Sequence, residues 1–383
     1  MQINGHLAEV KEKSMRVLGV WVDPKLQWKE HIQQATSKGN AAFNALSRIT
    51  ASTWGPSMRR SGLIYSAVVR PTMLHGSQVW STQGNGEPLP STTTKPLQRL
   101  QNQCLQRITG GYKRAPTAAL ERETMIPPIT LYTELTALQH ASTVCNHSIE
   151  AEIAKTLDKV WLAAKICQGT TRQRLQTPLE ILQIKSAKKE TKTKRSLAHR
   201  ENTTRSQGQW RRNVHQEHQW KATTLLEKWA DFEWQRQWQT KARGRKATTW
   251  QTPWAKQTIP LYEGLSKAES TALFLMRVEV IGLNAWLASV QVPDVLPCCT
   301  CGWQVQTAHH VLIHCPHYDR SNLIQAVQTE SLYAILLQPK CAKYAAKWFI
   351  KQNVLKQFET ARAIGEEDTS GYTLFWSLED WGY

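Results

Sequence analysis

The chain has 383 residues, 41% of them apolar, which is enough for two or three domains with real cores and argues against wholesale disorder. Lys and Arg number 48 against 30 Asp and Glu, for a formal charge of +18, so a polyanionic partner such as nucleic acid is favoured over small-molecule metabolism. The most apolar stretch, Ala272 to Val292, contains Arg277 and Glu279, which speaks against a membrane span. The N-terminus lacks the basic, apolar, small-residue order of a signal peptide, which predicts a reducing compartment where cysteines are thiols or metal ligands.

In chain order, Arg16 to Val22 is rich in Val and Trp with one Gly and stops at Asp23-Pro24, predicting a strand followed by a turn. From Lys29 to Ile49 the residues Ile32, Ala35, Ala42, Phe43, Leu46 and Ile49 recur at helical spacing. Pro56 suits the start of a second helix over 57–69, with Arg59 and Arg60 near its start and Leu63, Ile64, Ala67 and Val68 as its apolar face, ended or kinked by Pro71. Gly84 to Pro96 has loop composition, and Leu97 to Thr109 resumes a helix capped by Gly110-Gly111.

Charge concentrates further on. Between Lys185 and Lys246 there are 17 Lys or Arg and six acids, a net +11. Lys185 to Arg195, with Lys188, Lys189, Lys192 and Lys194, has almost nothing to bury, and predicts a linker or nucleic-acid-contacting arm that weakly resembles a nuclear-localisation patch. Seven Trp follow at 210, 220, 229, 234, 238, 250 and 254, interleaved with cations that include Arg211, Arg212, Arg243, Arg245 and Lys246. These indoles either stack on unpaired bases, or Trp234/Trp238 and Trp250/Trp254 form i,i+4 pairs on buried helix faces. Attraction to nucleic acid follows from the clustered charge under either reading.

Four of the eight cysteines crowd into residues 298–315, whereas those at 104, 145, 167 and 341 read as small buried hydrophobes. The spacing Cys299-x-Cys301-x8-His310-x4-Cys315, with Cys298 as an alternate first ligand, supplies three thiolates and one imidazole. That donor set suits a closed tetrahedral zinc site, structural and not catalytic, since no coordination position stays open. Cys298, His309, His314 and His317 offer alternate ligands, or face solvent or pack, since one site needs only four donors. After Pro316, Leu332, Ile335, Leu336, Trp348, Phe349, Leu355 and Phe358 predict one or two packing helices over 331–358.

The runs Arg16-Val-Leu-Gly-Val, Trp28-Lys-Glu-His-Ile, Leu63-Ile-Tyr, Arg70-Pro-Thr-Met-Leu-His-Gly and Leu100-Gln-Asn-Gln-Cys-Leu-Gln-Arg-Ile-Thr-Gly, in this order, resemble fungal non-LTR (LINE-type) retrotransposon reverse transcriptases. The likeness covers about 14–135. A second stretch, about 258–320, resembles the same proteins through Leu261-Tyr-Glu-Gly-Leu265, Lys267 to Arg277, and a zinc-knuckle-like pattern of Cys-x-Cys-Gly with Thr307, His310, Cys315 and Pro316. Where the family often has an acid before that Thr, this chain has Gln306, which removes a possible acceptor behind the ligands.

The resemblance implies a primer grip at Leu18-Gly19, a helical thumb that holds template and primer, and a knuckle that grips RNA. It implies a mainly α fold, divided as primer-grip remnant 1–28, thumb-like domain 29–165, basic Trp-rich connector 166–257, helix plus zinc module 258–320 and helical tail 321–383. The family is an RNA-directed DNA polymerase, whose metal-holding Asp pair would lie upstream of residue 1; the seven Asp here are nowhere adjacent. Magnesium would therefore serve only a full-length polymerase, and zinc is the cofactor expected of this chain. No Asp-Gly opens a ribonuclease H pattern, and no endonuclease triad follows the knuckle. The expectation is a fragment that binds RNA, RNA/DNA hybrid or DNA without a membrane. It would sit in a nuclear or cytoplasmic ribonucleoprotein, with palm and endonuclease domains belonging to a parent element. The alternatives are a domesticated zinc-binding scaffold and a non-functional remnant.

Overall fold

The computed structural model describes residues 2–3, 6–7, 14–81, 89–144 and 226–368. It is mainly α, with two short hairpins at the N-terminal end. These are β1 (Gln2–Ile3) with β2 (His6–Leu7), and β3 (Met15–Val17) with β4 (Val20–Val22). The helices are α1 (Lys29–Ile49), α2 (Met58–Ile64), α3 (Arg70–Met73), α4 (Ser77–Trp80), α5 (Ser91–Thr109), α6 (Thr117–Thr124), α7 (Ile129–Val144), α8 (226–242), α9 (Thr248–Gln251), α10 (Ile259–Tyr262), α11 (Lys267–Val278), α12 (Asn284–Ser289), α13 (Ser321–Val327), α14 (Leu332–Leu337), α15 (Pro339–Lys351) and α16 (Glu359–Asp368). No helix among the described residues is long and apolar enough to cross a membrane.

The chain forms two compact units, each built from three separate stretches. One draws on Met1–Asn40, Arg70–Leu100 and Pro127–Thr240, the other on Ala41–Val69, Gln101–Ile126 and Lys241–Tyr383.

In the first unit, the expected single strand over 16–22 is instead a hairpin. Its register pairs Met15 with Val22 and Val17 with Val20. Leu18 and Gly19 both take positive φ, 48° and 89°, which makes the tight two-residue turn that matches strand twist. Composition alone does not disclose this turn, because leucine is unusual at positive φ; the resemblance, which puts the Leu-Gly turn of a hairpin at Leu18-Gly19, does. Asp23 then takes up the backbone N–H groups of Lys25 and Gln27 at 3.0 Å and of Trp28 at 2.7 Å, which directs the chain into α1. Burial alone would raise the Asp23 carboxyl, but those three donors hold it below its ordinary value.

Behind the hairpin, His31 Nδ1 accepts from Trp21 N at 3.2 Å, which places the imidazole proton on Nε2. That Nε2 is buried without a hydrogen-bond partner among the described residues, and the ring lies 5.1 Å from the Trp80 ring. Trp80 in turn donates to His75 O at 2.8 Å. Burial, then the charges of His75 and Lys38, push His31 down to about 4. Folding therefore favours the neutral ring. Stability should be full above pH 6.5 and fall as pH drops towards 4, because the unfolded chain takes up a proton that the folded one refuses. At 1.36 kcal/mol per pKa unit the loss amounts to about 3 kcal/mol. In denaturant titrations at pH 7 and 4.5, His31→Gln should lose this part of the acid sensitivity; unchanged sensitivity would show that His31 ionises while folded.

The rest of this unit packs α7 on α4, with Arg70 4.0 Å over the Tyr132 ring. Trp234 and Trp238 of α8 are both buried, the i,i+4 arrangement that a buried helix face requires. Neither indole is available to a base.

The second unit is organised around α11, in which every residue except Glu269 is buried. A helix buried all round must be covered on several sides, and α15, α14 and α9 pack on it. Its start is set by Ser266, whose hydroxyl accepts from Glu269 N while the Glu269 carboxylate accepts from Ser266 N. On α15, Ala342, Ala345 and Ala346 are fully buried, and such small side chains allow close approach of helix axes. Ile335, Leu336, Trp348, Phe349 and Phe358 join this core as their pattern predicts, and Cys104 and Cys341 are buried small residues.

Two expectations here need correction. The buried face of α2 is Met58 and Ser61, continued by Tyr65, Val69 and Met73, while Leu63 is 61% and Val68 52% exposed. Tyr65 fixes that face by donating to Gln101 Oε1 at 2.8 Å. Residues 65–69 form a π-helical turn that ends two residues before Pro71, a widening suited to the ring and missing N–H of the proline, and the chain continues as α3 instead of ending. The loop composition over 84–96 also misleads, since α5 already begins at Ser91 and holds Pro96 near its start.

Candidate metal centre

The cysteine-histidine segment folds as a tight turn followed by a short helix. Gly302 N donates to Cys299 O at 3.0 Å and Cys299 N to Trp303 O at 2.9 Å, which folds Cys299 and Cys301 towards each other. Gly302 sits at φ 89°, a conformation open to glycine and costly for other residues. Thr307 caps the following turn by accepting from His310 N at 3.2 Å, and residues His310–His314 widen into a π turn closed by Cys315 N donating to His310 O at 2.8 Å. The cap and the widened turn aim the imidazole and the last thiol at the cysteine pair. Their residue spacing is the one the sequence suggested; the extra residue in the turn was not legible in it.

The result is a cluster of Cys299, Cys301, His310 and Cys315, whose four ligand atoms lie within 4.8 Å of one another and which can hold a metal ion. Cys299 Sγ and Cys315 Sγ are 3.8 Å apart, and Cys301 Sγ is 3.2 Å from His310 Nε2. Burial lowers the His310 pKa, helped by His314, Arg320 and His309, so the ring is neutral, as a ligand must be. Burial pushes the Cys315 thiol up to about 11, and the sulfurs of Cys299 and Cys301 add to it. Burial would also raise Cys299, but hydrogen bonds from the Cys301 backbone and from the Cys301 and Cys315 thiols lower it. Three sulfurs this close cannot all ionise without a cation among them.

The surplus donors are placed apart. Cys298 is exposed and its carbonyl accepts from Asn284 Nδ2 at 2.8 Å. His317 Nδ1 lies 3.1 Å from Thr300 Oγ1. His309 and His314 meet edge to face, and His314 also lies under the exposed Trp303 indole, which stacks on His310 with ring centres 5.3 Å apart.

The residue that sequence reasoning undervalued is Gln306. Its Nε2 faces Cys299 Sγ at 3.6 Å, its Oε1 accepts from Asn284 N at 3.0 Å, and its backbone N donates to Pro297 O at 2.8 Å. An amide here donates to a thiolate while tying the turn to α12, work a carboxylate could not do because it has no proton to give. The expected loss of an acceptor is therefore a gain of a donor.

Chain comparisons add nothing to this geometry. No family model, curated protein or solved structure matches the chain.

Of the cations singled out for nucleic acid, Arg59 is engaged with Glu263 at 2.6 Å in an exposed pair, and Arg60 is exposed. Arg243, Arg245 and Lys246 are exposed in the stretch before α9, with Arg245 4.4 Å over the Trp250 ring. Trp250 is buried, and Trp254 carries Arg122 4.5 Å above its ring. Lys188, Lys189, Lys192, Lys194, Arg195, Arg211 and Arg212 lie outside the described residues, as do Trp210 and Trp220. Leu18 stands 93% exposed at the tip of its hairpin, with Gly19 behind it against His75, whose Nε2 lies 3.3 Å from Leu18 O.

Proposed function

We propose that the chain is a nucleic-acid-binding segment of LINE-type reverse-transcriptase character, stabilised by one structural zinc. The observation that carries the reading is the four-atom cluster of Cys299, Cys301, His310 and Cys315. For a tetrahedral zinc with Zn–S bonds of about 2.3 Å, the expected edge between two sulfurs is about 3.8 Å. The 3.8 Å between Cys299 and Cys315 fits that edge. Four protein ligands leave no position for a reacting water, so the metal would order the turn, with Gln306 supporting a thiolate from outside.

Binding rests on the +18 charge and on exposed cations such as Arg60, Arg243 and Lys246, whose release of counterions from phosphates drives association. The buried Trp234, Trp238 and Trp250 leave charge, and not those indoles, as the source of affinity. The exposed Leu18 tip suits a primer-grip role, and Leu63 and Val68 offer the kind of surface that a palm domain of a parent element would cover. The sequence holds no adjacent Asp pair, so within these 383 residues the reading is binding without nucleotidyl transfer.

The test is a salt titration of the full chain on single-stranded RNA and on an RNA/DNA hybrid, with zinc present, after its removal, and in Cys301→Ser. Log affinity should fall linearly with log salt at about 0.7 per neutralised phosphate for the single strand, and removing the metal or Cys301 should weaken binding further. Absence of binding to either ligand at low salt would overturn the reading and favour a scaffold or a decayed fragment.

A further inference from the structure

Within the second unit, an open groove of about 320 Å3 runs along the end of α5, lined by Phe43, Gln103, Gln106, Arg107, Lys113 and the Gly110-Gly111 backbone. Its cations are Arg107 and Lys113, and among the described residues no acid lines it. The carbonyl end of a helix normally repels anions. Here that end is occupied from inside, because the buried Lys267 amine donates to the carbonyls of both Arg107 and Ile108. Arg107 and Lys113 then face the groove with the helix terminus already satisfied.

The walls are fixed. A Cβ at Gly110 would fall on the Thr271 side chain and one at Gly111 on the Phe274 ring, so the glycine pair is pressed onto α11 and turns bare backbone to the groove. Thr271 also donates to Ser52 O at 2.6 Å, which holds the opposite rim. The volume lies at the small end of ligand sites, which span about 300–1,000 Å3. One nucleotide unit matches that size. A bare phosphate would use the two cations and leave the Phe43 wall and the Gln103 amide idle, whereas a base has a flat face and edges that Gln103 and the Gln106 carbonyl oxygen can read, Gln106 Nε2 donating to Lys113 O at 3.3 Å.

We infer that this groove seats one nucleotide unit of a bound strand, phosphate on Arg107 and Lys113, base against Phe43 within reach of Gln103 and Gln106. The inference rests on the nucleic-acid reading above and names where a strand would be held. None of the cations singled out from the sequence belongs to it.

Hydrogen exchange of residues 103–113 in the full chain tests it, with adenosine monophosphate, inorganic phosphate and adenosine as separate probes. Strand affinity is then compared between wild type and R107Q/K113Q. The expected results are protection by the nucleotide above that by phosphate or adenosine, and its disappearance in the double variant. Single-stranded RNA affinity should drop about tenfold at low salt, with a slope shallower by about 0.7, the one phosphate that the two cations share. Equal protection by phosphate and nucleotide would reduce the groove to an anion site and overturn the inference. If R107Q/K113Q binds the strand with unchanged affinity and slope, the groove falls while the nucleic-acid reading stands. If wild type binds no strand, the reading itself falls, and the groove's role with it.

Discussion

Removal of the zinc proposed for the cluster, by a chelator or by Cys301→Ser, is expected to unfold the turn over 298–306 and to cost more than any other single change. The four ligand atoms sit within 4.8 Å of one another; Ala308, Val311 and Leu312 bury the His310 side of the cluster, whereas Leu296, Trp303 and Val305 are exposed, so the turn carrying Cys299 and Cys301 has the least apolar support. Structural zinc contributes about 10–16 kcal/mol to small modules at neutral pH, because unfolded chains hold no preformed site. Elemental analysis should find one zinc per chain, and hydrogen exchange should show protection of 298–306 collapsing without it. Cys298→Ser is the control. Its side chain is exposed and outside the cluster, so metal content should be unchanged; loss of zinc in that variant would mean that Cys298 and not Cys299 is the ligand.

The second large effect is expected at the centre of the second unit, where Glu123 and Arg277 are both fully buried and paired at 2.9 Å. The carboxylate accepts from Arg277 Nη2 and Nε at 2.9 and 3.0 Å, from Thr249 Oγ1 at 2.5 Å and from Tyr262 OH at 2.6 Å. Arg277 also donates to Thr252 Oγ1 and to Leu336 O. Burial alone would raise the Glu123 carboxyl, but the guanidinium and the two donating hydroxyls of Thr249 and Tyr262 hold it below its ordinary value and keep it ionised. Glu123→Gln leaves a guanidinium stranded in the core, and the expected loss is about 3–5 kcal/mol. The double variant Glu123→Leu with Arg277→Met removes both charges and should be much less damaging than the two single changes added together. Urea unfolding of the four proteins measures that coupling, and additive losses would show that the pair contributes no more than its packing.

The same arginine shows what a sequence does and does not disclose. Arg277 is visible as the charge that interrupts the apolar run over 272–292, which disfavours a membrane span. Its partner lies 154 residues away, and nothing in the spacing of Glu123 points to it. The bounds of α1, Lys29–Ile49, were legible because its apolar positions repeat at helical spacing on either side of Lys38-Gly39, although Ile49 proves exposed. The exposed Leu63 and Val68 were misread because side-chain type outvotes geometry in such patterns, and the π turn over 65–69 shifts the period that those patterns assume. At the metal centre the four ligands were legible from donor type and spacing, whereas the second contribution of Gln306 was not, since it arises from a contact with α12 that only folding brings about. The groove at the end of α5 was legible only as a glycine pair that caps a helix.

The assembly of each unit from three separate stretches has a consequence for how the protein can be made. In the second unit, α11 and its buried Arg277 find their cover in α14 and α15, which end at Lys351, and their ion partner on α6, more than 140 residues earlier. During synthesis that core cannot close until the ribosome has passed the end of α15, so the Glu123 carboxylate waits 154 residues for Arg277, and α11 then stays half-covered until α14 and α15 have been made. Chains that stop early, or pieces cut at what look like domain joints, should therefore be clients for chaperones and proteases rather than smaller working versions of the whole.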